Sequence, residues 1–208
     1  MTKIKRLSEF DINEETSQVE QGEILVVLGA PGSGKGTLSK ELKSKYGFSH
    51  ISTGDVIRKS EDPELKKIIE GGNLVPDDMM VKILRKELKK LDVTKGIILD
   101  GFPRTIKQAR KLDSMLGKMG LGLNHAFYLE LPNDIAKERI KQRAKEENRK
   151  DDSSDEIIDQ RFKEYEEKTL PLVDFYDKCR KLVRVQAEGG KDDVLSSVVN
   201  KLGLEEVK

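Results

Sequence analysis

The sequence predicts a three-layer α/β domain in which a five-stranded parallel sheet is flanked by helices, and three observations lead there. Five short apolar runs, Ile24–Leu28, Phe48–Ser52, Gly96–Leu99, Ala126–Leu131 and Leu182–Gln186, have the length and character of strands buried on both faces. Helical patterns separate them, and strand alternating with helix means parallel strands joined by right-handed crossovers. The first run leads into the glycine-rich stretch Gly29-Ala30-Pro31-Gly32-Ser33-Gly34-Lys35-Gly36-Thr37, and a helical pattern from Leu38 to Tyr46 follows directly.

That strand, turn and helix describe a phosphate cradle. A polyphosphate can approach a backbone closely only where side chains are missing, and glycines leave several N–H groups free to converge on its oxygens. The following helix adds the positive end of its dipole. Lys35 supplies a mobile cation for the outer phosphates, and Thr37 a hydroxyl near the inner one or a metal. The general form of this loop places Ser or Thr directly after the lysine, whereas here Gly36 intervenes. No direct protein ligand to a metal is therefore assigned, and Thr37 and Asp100 are expected to reach one through water.

The second strand ends in Ser52-Thr53-Gly54-Asp55, and the segment from there to Val75 carries Asp62-Pro63 and the flexible pair Gly71-Gly72. Met79, Met80, Ile83, Leu84, Leu88 and Leu91 then form a stripe at helical spacing, the pattern of core packing. The third strand ends in Asp100-Gly101-Phe102-Pro103-Arg104. Helices are predicted over Thr105–Met115, Asn133–Lys145, Asp155–Tyr176 and Asp192–Leu202. The densely charged run 144–156 reads as a solvated connector or as a flap that orders on an anion. Residues 1–21 are polar and lie outside this alternation, with Ile4, Leu7 and Phe10 as a weak helical stripe. In a parallel sheet of this kind ligands gather at the carboxyl ends of the strands, and three such ends carry the informative residues.

Composition narrows the function. With a formal net charge of +1 there is no global field to hold nucleic acid or an anionic membrane, and 5% aromatic residues without tryptophan do not make a base-stacking groove. No apolar stretch approaches the length of a membrane span and no secretory signal is visible, so a cytoplasmic protein is expected, and a monomer. One cysteine, Cys179, excludes an internal disulfide or a four-thiolate zinc site. His50 and His125 each open a strand with no partnered carboxylate in sight, and packing is the expected role of both.

Arginine placement is the sharper signal, because the chain otherwise prefers lysine, 28 against 11. Arg58 and Arg104 follow the second and third strand ends, Arg139 and Arg143 are four apart on one helical face, Arg149 lies in the charged run and Arg161 in the next helix. A guanidinium fork matches phosphate oxygens two at a time, which an ammonium cannot do. Phosphoryl transfer needs such a set, since its catalysis rests on alignment and fixed positive charge. Asp100 would orient Mg²⁺ or its waters beside the phosphates.

Five motifs in order, Gly29 to Thr37, Ser52-Thr53-Gly54-Asp55-Val56-Ile57-Arg58, Asn73-Leu74-Val75-Pro76, Asp100 to Thr105 with Gln108, and Arg149-Lys150-Asp151-Asp152, resemble the adenylate kinase family, as does the turn Ala187-Glu188-Gly189-Gly190. The resemblance runs from about Glu23 to the C-terminus. It implies the P-loop nucleoside monophosphate kinase fold with two small mobile flaps: an N-terminal extension 1–21, then a kinase domain 22–208 with its core at 22–51, 76–141 and 153–208, an AMP flap at 52–75 and a short lid at 142–152. It implies ATP, AMP and ADP as ligands, Mg²⁺ with ATP, and no structural zinc in so short a lid.

Residue by residue, the resemblance places the ATP phosphates on Gly32, Ser33, Gly34, Lys35, Gly36 and Thr37, with Arg143 on those phosphates and Arg139 and Gly189 beside the ATP base. It places AMP on Thr53, Arg58, Asn73, Leu74, Val75, Gly101, Phe102, Pro103, Arg104 and Gln108, with Arg149 and Arg161 bridging donor and acceptor. Lys35, Asp100, Arg104, Arg143, Arg149 and Arg161 form the catalytic set. Pyrimidine-specific relatives, the UMP/CMP kinases, typically carry Ala, Asn and Asn where this chain has Thr53, Thr105 and Gln108, so adenine is the expected base. A UMP/CMP kinase and a nucleotide-sensing module without turnover are the alternatives. The 58–73 segment is shorter than in most relatives, which trims the AMP flap.

Overall fold

A computed structural model describes residues 22–147, 152 and 154–204. The expectations for residues 1–21, including the Ile4, Leu7 and Phe10 stripe, and for Arg149 lie outside the described residues. The strands are β1 (Ile24–Gly29), β2 (Ser49–Ser52), β3 (Ile97–Asp100), β4 (His125–Glu130) and β5 (Leu182–Gln186), within a residue or two of the expected runs. All pair in parallel in the order β2-β3-β1-β4-β5, so the phosphate-loop strand is central.

Helices cover both faces, and the strands show why. Along β1, Ile24, Val26 and Leu28 enter one core with Leu84, Leu99, Leu112 and Tyr176, while Leu25 and Val27 enter the other with Leu42, Ile98, Phe127 and Val198. The period of two sends alternate side chains to opposite faces, and both faces are apolar because both are covered. The first face is packed by α4 (Asp77–Leu88), α5 (Ile106–Gly117) and α8 (Pro171–Lys178), the second by α1 (Lys35–Tyr46) and α9 (Lys191–Leu202). A third cluster, Ala30, Ala136, Ile140, Ile158, Phe162 and Tyr165, ties the phosphate loop to α6 (Asn133–Glu147) and α7 (Asp155–Glu164).

Two expectations change. The single helix over Asp155–Tyr176 is instead α7, a wider π-turn at Tyr165–Thr169, and α8. Pro171 lacks an amide hydrogen and its ring crowds the carbonyl four residues back, so it starts a helix rather than continuing one. Leu170 N instead bonds Tyr165 O, five residues back, at 2.8 Å. The 52–75 segment also holds two helices that periodicity did not resolve, α2 (Thr53–Arg58) and α3 (Pro63–Glu70). Asp62 caps α3 by accepting from Glu64 N at 2.9 Å, and Pro63 sits at the first helical position, where its missing donor costs nothing.

Leu112, fully buried between α5 and the sheet, reports on this packing. Leu112→Ala is expected to lower stability by about 2–5 kcal/mol in urea unfolding, with the slope of the transition unchanged.

Candidate active site

One cavity of about 810 Å³ opens at the carboxyl ends of β1, β2 and β3. The loop after β1 shapes its floor. Gly29, Gly32 and Gly34 have φ of +146°, +82° and +92°, and a Cβ on Gly32 would sit 2.3 Å from the Ala136 carbonyl oxygen. Only glycine gives both that conformation and that close approach. Helix α1 begins with no side-chain cap and no acidic residue in its first turn, so its first N–H groups and the positive end of its dipole point into the cavity unneutralised.

Lys35 folds back over the loop. Its Nζ donates to Gly29 O at 2.8 Å and Ala30 O at 2.7 Å, with Ser33 Oγ at 3.4 Å. Burial depresses this ammonium to about 7; Asp100 opposes the fall, and Arg104, Arg161 and Arg143 add to it. Three guanidinium groups are therefore close enough to repel a charge on Lys35, and all three line the same cavity.

Each arginine is held by the fold. Arg104 Nε donates to Gly101 O at 3.0 Å, and its own carbonyl accepts from Thr169 Oγ1 at 3.0 Å, so the π-turn props the end of β3. Arg58, at the end of α2, pairs with Asp55 at 2.6 Å. Arg139 donates from Nη1 to Ala187 O at 2.9 Å and from Nη2 to Glu188 O at 3.1 Å, which pins the turn that carries Gly189. Arg143 and Arg161 share one carboxylate: Arg143 reaches Asp152 Oδ2 through Nε at 3.0 Å and Nη2 at 2.7 Å, and Arg161 Nη1 donates to Oδ1. The Asp152 side chain is fully buried between them.

Across the cavity, Thr53, Asn73, Leu74, Val75, Gly101, Pro103, Arg104 and Gln108 line a second lobe with the apolar side chains of Ile57 and Met80. Thr53 Oγ1 donates to Asp100 O at 3.3 Å, joining the ends of β2 and β3. The Gln108 amide is not idle: Oε1 accepts from Arg104 N at 2.7 Å and Nε2 donates to Asp77 Oδ1 at 2.8 Å. One N–H and one lone pair remain for a ligand, which narrows the geometry in which it can meet a base. Phe102 departs from its expected place, because its ring is 1% exposed within the core and only its neighbours border the cavity.

His50 is a correction. Read in sequence as lacking a carboxylate partner, it lies on β2 with Nε2 3.6 Å from Asp100 Oδ2. The contact was invisible because it is made across strands, Ser52 standing beside Asp100 in the parallel register. The sequence assigns no role to Asp152, and Gln142, Glu146, Glu164 and Tyr165 border the cavity with no sequence signal that marks them.

Asp100 lies beside the phosphate loop, its Oδ2 3.5 Å from where a Cβ on Gly36 would stand. Among the described residues no cluster of three or more His, Cys, Asp or Glu side chains could hold a metal by itself. A single carboxylate next to a phosphate site suits a Mg²⁺ ion that keeps its waters and takes its other ligands from substrate phosphates. Among the described residues no helix is long and apolar enough to cross a membrane.

The family model described as adenylate kinase matches residues 27–181. The chain is 42% identical over 181 residues to the adenylate kinase of Stenotrophomonas maltophilia (strain R551-3), covering 84% of this chain and 96% of the relative. It is 41% identical over 185 residues to that of Xanthomonas euvesicatoria pv. vesicatoria (strain 85-10), and 40% identical over 185 residues to that of Xylella fastidiosa (strain 9a5c), in each case covering 86% of this chain and 98% of the relative.

The depressed Lys35 gives a pH signature. Unfolded, this lysine keeps its proton to its ordinary value near 10.5; folded, it releases it at about 7, so the unfolded chain holds more protons in between. Folding stability of the free protein is therefore expected to gain up to about 1.4 kcal/mol per pH unit from this group as pH rises above 7. Urea titrations of wild type and Lys35→Met across pH 7–10 check it, the difference between the two curves carrying the slope.

Proposed function

The chain belongs to the adenylate kinase family and is a phosphotransferase that moves the terminal phosphoryl group of ATP to AMP, giving two ADP, and we propose that the two nucleotides meet end to end in the cavity at the carboxyl edge of its sheet. ATP lies with its phosphates on residues 32–37 and its base between Arg139 and the turn at Gly189. AMP occupies the lobe of Thr53, Asn73, Leu74, Val75 and Gln108, its phosphate gripped by Arg58 and Arg104. Supporting this reading above all is the gathering of Lys35, Arg104, Arg143 and Arg161 around one cavity with the glycine loop.

The chemistry follows from that charge. As the phosphoryl group moves it carries spread negative charge on its equatorial oxygens, and donors already fixed in place stabilise it without reorganising. Lys35 and the arginines are such donors. Mg²⁺ bound with ATP supplies further neutralisation of the phosphates, and Asp100, with Thr37, would hold it through water. Arg143 and Arg161, paired with Asp152 in the free protein, would redirect donors to phosphate oxygens when substrate arrives. A charged lysine near pH 7 is also favoured by bound polyphosphate, whose negative charge opposes the depression that burial causes.

Residues 52–75 and 142–152 are proposed as two flaps that exclude water from the transfer, so that AMP rather than water accepts the phosphoryl group. Adenine is favoured on the acceptor side because Thr53 and the remaining N–H and lone pair of Gln108 offer a donor and an acceptor together, and polar groups left unpaired penalise another base.

A coupled assay with AMP, UMP, CMP and GMP as acceptors tests the assignment, with AMP expected to give the highest kcat/KM and UMP or CMP in that place overturning it. Lys35→Ala is expected to lower kcat by about two or more powers of ten, the scale of removing a fixed charge from a developing anion. Arg161→Ala is expected to fall in the same direction, and unchanged turnover in both would favour a binding module over an enzyme.

A further inference from the structure

The hinge that carries the proposed AMP wall does not stand free of α7. Gly72 is buried with φ +74°, and a Cβ there would lie 3.0 Å from Ile157 O and 3.2 Å from Arg161 Cγ. The next residue makes a side-chain contact in the same direction. Gln160 Nε2 donates to Asn73 Oδ1 at 3.2 Å and to Glu164 Oε1 at 3.3 Å, and Asn73 Nδ2 turns back to Gly71 O at 3.3 Å. Glu164, only 8% exposed, is itself fixed by Lys168 at 2.6 Å. A chain of polar contacts thus runs from the backbone of residues 71–75 through Gln160 to the end of α7.

We propose that Gln160 is a positioning residue for the acceptor nucleotide, tying the Asn73 wall to the helix that carries Arg161. The inference rests on the reading that AMP lies against residues 73–75. With the tie in place, the 71–75 backbone is ordered before AMP arrives; without it, AMP binding must supply the ordering, and affinity falls. Gln160 acts through Asn73 and touches no reacting atom.

The donor role of Gln160 makes the test directional, since both of its partners are acceptors. Gln160→Glu replaces the donor with a carboxylate facing Glu164 four residues on, a repulsive pair. Gln160→Lys keeps a donor for both oxygens. In steady-state assays at fixed salt, Gln160→Glu is expected to raise the KM for AMP about three- to ten-fold, with kcat and the KM for ATP changed less than about two-fold. Gln160→Lys is expected to leave the KM for AMP at or below the wild-type value. The pair Asn73→Ala and Gln160→Ala is expected to be non-additive in KM for AMP, a readout that survives if the charged variant folds poorly.

An unchanged KM for AMP in Gln160→Glu, an equal rise in both charged variants, or full additivity of the alanine pair overturns the tie. Arg58→Ala separates this from the underlying reading: it should raise the KM for AMP whether or not Gln160 matters. If Arg58→Ala raises the KM for ATP instead, the placement of AMP falls, and the inference with it.

Discussion

Like charge gathered at one point is the constraint on which the rest of this structure depends. Lys35, Arg104, Arg143 and Arg161 surround one cavity, and burial there, with the three guanidinium groups adding to it, brings the Lys35 ammonium down to about 7. An isolated loop could not hold that arrangement. The fold holds it by committing each side chain to a fixed acceptor: loop carbonyls for Lys35, Gly101 O for Arg104, and the Asp152 carboxylate for the other two. The acceptors have a second consequence. On the proposed reading they hold the places that phosphate oxygens take, so the free protein keeps its donors satisfied.

The sheet explains why the acceptors are where they are. Parallel strands bring their carboxyl ends to one edge, and with β1 central its glycine turn is flanked by β3 and β4. Apolar residues alternate along β1 into two cores, so the strand is fixed on both faces and the turn above it cannot drift. The π-turn is part of the same frame. By widening the helix at Tyr165–Thr169 it sets Thr169 to hold the Arg104 carbonyl, a long-range contact that an uninterrupted helix would have presented differently.

What could be read from sequence, and what could not, divides along physical lines. The five strands and the phosphate loop were legible because burial on both faces and the steric demands of a phosphate leave marks in consecutive residues. The arginines were legible because they stand out in a lysine-rich chain. The break before Pro171 could have been found, since proline's missing donor is a local rule, but the long apolar periodicity across it hid the stop. Helix α3 is the opposite case: too short for periodicity, yet announced by Asp62 and Pro63 at its start. Contacts such as His50 with Asp100, Asp152 with two arginines, and Gln160 with Asn73 join residues between 9 and 87 positions apart and leave no spacing to read.

Two of those contacts, Asp152 with Arg161 and Gln160 with Asn73, share helix α7. Helix α7 carries Arg161, whose guanidinium bonds Asp152 and thereby meets Arg143 of α6, while Ile157, Gln160 and the stem of the same Arg161 meet Gly72 and Asn73. Asp152 and Asn73 are therefore both held by side chains of α7. A phosphate that draws Arg143 and Arg161 from Asp152 loosens a buried carboxylate, which is unfavourable unless other charge compensates.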